Sequence, residues 1–184
     1  MTSPRSANVV PSYQLAPSKG IRCVRLVRCA RLSTQNNGVI RKQFTARDVV
    51  SRQDAVGFRG RATARLAAEF LDEIIERMPF RVRAIQIDNG SEYMAEFEEA
   101  CRLRGITLYV LPPRSPKLNG TVERAQRTHT EEFWEVTNCD TDVESMRRSL
   151  REWEDVYNTV RPHQALGYLT PAEYVHNWIR QQST

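Results

Sequence analysis

No aspartate or glutamate occurs before Asp48, although the 184-residue chain holds 22 of them. The first quarter of the sequence therefore offers no carboxylate to a metal site or to acid–base chemistry. Residues 1–43 instead carry eight lysines and arginines, which leaves 19 basic against 22 acidic residues in the rest. A basic arm on a mildly acidic body fits a polyanionic partner. A solvated leader with no partner has the same composition, and charge alone does not choose between them. Cysteine is scarce: Cys23, Cys29, Cys101 and Cys139 form no C-x-x-C pair, and His129, His163 and His176 lie outside any zinc-ligand spacing. Free reduced thiols are the expectation. Long apolar runs are missing too. Nothing approaches the roughly 20 residues of a membrane helix, and the opening MTSPRSANVVPSYQLAPSKG lacks the apolar centre of a secretory signal. A cytoplasmic protein without a membrane partner is expected.

With 40% hydrophobic and 27% charged residues, this length suits one domain with tails. Residues 1–20, punctuated by Ser, Pro and Lys, read as a disordered basic leader. IRCVRLVRC (21–29) predicts a short strand, Asn36-Asn37-Gly38 a tight hairpin turn, and VIRKQFTARDVVS and DAVGFRG two more strands of an antiparallel meander. The period then changes. Leu66, Phe70, Ile74 and Met78 fall four apart, with Leu71 and Ile75 beside them: an amphipathic helix with Thr63 as N-cap and Pro79 past its end. RAIQID predicts a strand, MAEFEEACRLRG a helix closed by Gly105, and ITLYVLP a strand stopped by Pro112-Pro113. The loop PPRSPKLNG leads into a helix from Thr121 to about Val136, and a last helix runs from about Asp142 to Thr159. This order predicts an α/β domain around a mixed sheet over residues 21–160, with residues 161–184 as a tail docked on it. Trp134, Trp153, Tyr157 and Trp178 fall at spacings that suit helix packing.

In AIQIDNGSEY, Asp88 sits where a strand hands over to a loop, and Asn89-Gly90 lets the backbone turn sharply after it. A second candidate acid, Glu123, opens the helix that follows the proline-rich loop. If that helix packs over the end of a central strand, the two carboxylates converge, which suits a hard divalent ion. A pair of ions about 3.5–4 Å apart serves phosphodiester chemistry. The spacing alone is weak, since either acid also suits a cap or a solvated surface. Glu92 reads as an acid that orders the loop.

The stretch IQIDNGSEYMAEFEEACRLRGITLYVLPPRSPKLNGTVERAQRTHTEEF resembles the catalytic core of retroviral-type integrases and insertion-sequence transposases. These form the DDE group of the ribonuclease-H-like superfamily. The ending YNTVRPHQALGYLTPAEY resembles that of bacterial insertion-sequence transposases, and the likeness covers about residues 44–176. It implies a five-stranded mixed sheet, a three-strand meander plus parallel strands, flanked by helices and followed by a helical C-terminal tail. It implies DNA integration by metal-dependent phosphodiester cleavage and strand transfer, with Mg²⁺ or Mn²⁺ as cofactor. Asp88 matches the second metal-ligating Asp and Glu123 the catalytic Glu. Arg114, Lys117 and Asn119 of the loop, with Arg124 and Arg127 of the helix, become candidate DNA contacts. Gln126, Arg127 and Thr130 share a helical face with Glu123, and Arg127 suits either a substrate phosphate or an ion pair with Glu123 or Glu131. Implied partners are DNA, as element ends and target, and further copies of the chain or full-length transposase. Location follows: bacterial cytoplasm, at the nucleoid when DNA-bound. Arg161-Pro162-His163 matches a family motif whose simplest role is docking the tail; His163 as a metal ligand is the weaker reading.

One feature departs from the pattern. The family's first Asp belongs on the opening strand, where this chain reads RCARLSTQNNG and holds no acid. The aligned positions fall near Cys29 to Leu32, and a thiol does not replace a hard oxygen ligand for Mg²⁺. Either that ligand is missing, which predicts impaired catalysis, or Asp48 or Asp54 moves in. The competing expectation is a non-catalytic remnant that binds DNA or full-length transposase. No recognition domain fits within 43 residues, so binding through phosphates would be sequence-blind and salt-sensitive.

Overall fold

The computed structural model describes residues 9–11, 23–33, 40–87, 90–111, 124–137 and 142–182, with side chains from residue 42 onward. Six strands form one sheet: β1 (Val9–Pro11), β2 (Cys23–Ser33), β3 (Ile40–Asp48), β4 (Asp54–Arg59), β5 (Ala84–Ile87) and β6 (Thr107–Val110). Their spatial order is β1-β6-β5-β2-β3-β4. β2, β3 and β4 make the expected antiparallel meander, while β5 pairs in parallel with β2 on one side and β6 on the other. The sheet is mixed as predicted, but among the described residues it has six strands rather than five. The extra one, β1, pairs in parallel with β6 and comes from residues read as a disordered leader. Val9 and Val10 are β-branched, and Pro11, which has no N–H to give, is tolerated because β1 is an edge strand.

Helices cover both faces. α1 (Ala64–Arg77) starts at Thr63, whose hydroxyl accepts from the Leu66 N–H, and buries Ala67, Phe70, Leu71 and Ile74. α2 (Glu96–Leu103) is closed by Gly105 at φ +65°. The two pack Phe70, Leu71, Ile74, Phe97 and Cys101 against Phe44, Ala46, Ile85, Ile87 and Leu108 of the sheet. Contact is close here: a Cβ on Gly57 of β4 would come within 2.7 Å of the buried Phe70 ring. Burial pushes the Cys101 thiol up to about 12, so it is an inert core group.

The other face carries α3 (residues 124–129), which widens into a π turn at Thr130–Trp134, and α4 (Val143–Thr159), capped by Asp142. Phe133, Met146 and Leu150 meet Val56 and Phe58 there. α4 also seals the free edge of β4. Asn158 accepts from the Asp54 N–H at 2.9 Å and donates to the Asp54 carbonyl at 2.8 Å, and Glu154 accepts from the Val56 N–H at 2.7 Å. An edge strand is thereby closed by side chains instead of another strand. α4 is not the last helix: α5 (Pro171–Gln182) follows, with Thr170 and Glu173 bonded reciprocally across its start. That capping box, with Pro171 in the first turn, was readable in Thr-Pro-Ala-Glu. The tail is helical, as the resemblance implies.

Candidate active site

β5 is an interior strand, hydrogen-bonded on both sides, with Ala84, Ile85 and Ile87 buried. Its last residue precedes Asp88 by one position, and α3 begins one position after Glu123. Asp88, Glu123, Arg114, Lys117 and Asn119 themselves lie outside the described residues. What is described is the rigid framework at either hand. Beyond β5, Ser91–Tyr93 form a 3-10 turn that buries Glu92 and Tyr93, the latter packed edge-on against Phe97 at 5.2 Å.

The neighbour of β5 decides how many carboxylates that end of the sheet can offer. β2 lies beside it in parallel and reads CVRLVRCARLS, eleven residues without an acid. Arg25 pairs with Gln86, so Leu26 and Val27 are the β2 positions beside the end of β5. Neither Asp48 nor Asp54 lies beside the end of β5. Asp48 stands opposite Val24 and Asp54 opposite Arg47, two and three strands from β5. At about 4.8 Å per strand this is roughly 10 and 14 Å away. Both are also engaged: Asp48 accepts from the Ser51 N–H at 2.9 Å and hydroxyl at 2.6 Å, and Asp54 takes both arms of Arg47, at 2.6 and 2.5 Å. Among the described residues no group of three His, Cys, Asp or Glu side chains is placed to hold a metal.

α3 is seated by a buried polar chain that the sequence did not announce. The Trp134 indole N–H donates to Gln43 Oε1, which fixes the orientation of the amide. Gln43 Nε2 then donates to Thr45 at 2.8 Å and to His129 Nδ1 at 2.7 Å. That leaves His129 Nε2 to donate to Asp54 Oδ2 at 3.0 Å. Arg47 completes the run by donating to Tyr157 at 2.6 Å. Every member has a partner, so the network holds the helix after Glu123 in one position on β3 and β4. Burial works to raise the Asp54 carboxyl, but the Arg47 guanidinium more than reverses it and holds it below the ordinary carboxylate range. Trp153 packs edge-on against His129 at 4.8 Å, so the aromatic residues on α3 and α4 serve packing as expected.

Of the predicted DNA contacts that are described, Arg124 and Arg127 are both exposed. Arg124 lines a cavity with Thr128, one turn further on; Arg127 is not part of it and makes no ion pair with Glu131. Thr130 donates its hydroxyl back to the Gln126 carbonyl at 3.0 Å, beside the π turn. His163 sits in the loop after α4, its N–H bonded to Leu169 at 3.0 Å and its ring against Tyr157 at 5.0 Å. This ring contact joins the loop to α4.

Residues 104–171 match the integrase core domain family. The fold is that of the catalytic core domain of BIV integrase, with a TM-score of 0.68 at 22% identity over 90% of this chain and 100% of that one. Motifs, family match and fold point the same way: the chain is similar to the cores of DDE-type integrases and transposases. Among curated relatives it is similar to the transposase InsD for insertion element IS2D of Escherichia coli (strain K12), 34% identical over 89 residues, 48% of this chain and 29% of that protein. It is also similar to a 39.2 kDa protein of insertion element IS476 from Xanthomonas euvesicatoria, 28% identical over 102 residues, 55% of this chain and 29% of that one. The match spans under a third of either relative's length. Among the described residues no helix is long and apolar enough to cross a membrane.

Proposed function

We propose that the chain is the core of an insertion-sequence transposase for DNA integration, impaired in its chemistry because it holds two carboxylates of the usual three. Asp88, after the interior strand β5, and Glu123, before the seated helix α3, are the residues that would hold Mg²⁺ or Mn²⁺. Their hard oxygens suit such an ion; the donor set is one short, which fits weak binding. When bound, the metal supplies charge stabilisation for an attacking and a leaving oxygen of a phosphodiester. The chain's own part would be to supply those two carboxylates, one after β5 and one before α3, and to present arginines to the strand. DNA ends and target are the partners, with copies of the chain or full-length transposase completing the assembly, in the bacterial cytoplasm.

The observation that carries this reading is the acid-free β2 beside β5. The same observation favours a second reading, a non-catalytic remnant that binds DNA or full-length transposase and no metal. A strand-transfer assay on element ends with Mg²⁺ or Mn²⁺ tests the impairment. Product should stay at background for the purified chain; robust cleavage that disappears in Asp88→Asn would sink it.

A further inference from the structure

A cavity of about 670 Å³ opens between the β3–β4 turn, α3 and the loop after α4. Arg47, Arg52, Arg124, Thr128, Arg161 and His163 line it, and among the described residues no carboxylate does. Two of these arginines are already neutralised, Arg47 by Asp54 and Arg161 by Glu132. Arg52 and Arg124 form no ion pair among the described residues, so the cavity keeps an uncompensated positive charge. The contrast with the groove between α1 and α4 is informative. That groove, of about 630 Å³, has Glu69, Glu73 and Glu144 among its arginines, with Arg59 paired to Glu73 and Arg147 to Glu144.

Two further features point to a ligand. Arg52 holds φ at +64°, a left-handed conformation that Gly or Asn adopts at less cost. Its side chain puts a long cation at the cavity wall. His163 Nε2 is buried and has no hydrogen-bond partner among the described residues. Burial, followed by the charges of Arg161 and Arg47, lowers the His163 pKa, so the ring favours its neutral form, in which Nε2 can carry the proton and donate.

We propose that this cavity binds a backbone phosphate of DNA, with Arg52 and Arg124 supplying the charge and Thr128 and His163 the neutral hydrogen bonds. The choice of DNA rests on the transposase-core reading; the anion site rests on the cavity itself. Arg124 follows Glu123 directly, so a phosphate held there anchors the strand beside the proposed metal ligand. On this view Arg161-Pro162-His163 builds a wall of the site as well as docking the tail.

The test is fluorescence anisotropy of a labelled mixed-sequence DNA duplex across a salt series, in EDTA so that metal chemistry plays no part. Arg52→Asn with Arg124→Gln should weaken binding at least tenfold at low salt and reduce the log–log salt slope by about two. Asn suits the positive φ, so the melting temperature should hold. Arg102→Gln, on α2 away from the cavity, should bind as the unsubstituted chain does. Unchanged affinity and slope in the double variant, or no DNA binding by the unsubstituted chain, overturns the site. Background strand transfer alongside arginine-dependent binding leaves the site standing, so the two proposals fail separately.

Discussion

Asp54→Ala should cost about 3–5 kcal/mol of folding stability, read as a fall in the urea midpoint at constant slope. Arg47 and Asp54 have side chains only 4% and 0% exposed, and both carboxylate oxygens of Asp54 are taken by the guanidinium. Removing the acid strands a buried cation and leaves His129 Nε2 without its acceptor. The loss spreads because the same network seats α3 on β3. A double variant, Arg47→Met with Asp54→Leu, should recover much of the stability, since an apolar pair of similar volume leaves no charge stranded. The pair's pH dependence is also specified. A carboxyl held below its ordinary value contributes stability above its unfolded pKa of about 3.9 and loses it only as pH falls through the depressed value. Between pH 5 and 8 the pair should therefore contribute a constant amount.

Glu154 behaves in the opposite sense. Burial pushes its carboxyl up to about 7, against the pull of Arg77 at 2.7 Å and the Val56 N–H. A carboxyl raised on folding contributes in full below its unfolded value near 4.5 and loses that contribution as pH rises through about 7. The span corresponds to a loss on the order of 3 kcal/mol between pH 4.5 and 8. Urea unfolding at pH 5 and pH 8 checks it: Glu154→Gln, which keeps an acceptor for Val56 but does not titrate, should remove most of the difference. An equal fall in the Gln variant would assign the pH dependence elsewhere. The consequence is structural, because Glu154 closes the free edge of β4.

How far the sequence revealed this molecule depended on the range of each signal. Local ones were legible: the Thr63 cap, the Gly105 terminator and the four-residue spacing on α1 all reappear. β1 was missed because three residues carry no periodicity and their pairing with β6 is about a hundred positions away. α5 was passed over although its capping box is local, since the tail was read as a motif. The polar network had no such signal. Gln43, Asp54 and His129 are separated by 86 and 75 positions along the chain, and only the packing of α3 on the sheet brings them together. The absence of an acid was legible from the start, but that β2 lies directly beside β5 is a fact of topology. Only the two together give the absence its meaning.

The most direct measurement is a Mn²⁺ titration of the full chain by calorimetry, beside Asp88→Asn, Glu123→Gln and Val27→Asp, the last adding an acid to β2 beside the end of β5. The account predicts weak binding that either single removal abolishes and that Val27→Asp strengthens about tenfold or more, as an added charged ligand should. Tight binding by the unsubstituted chain, or binding that survives the loss of both Asp88 and Glu123, would contradict it.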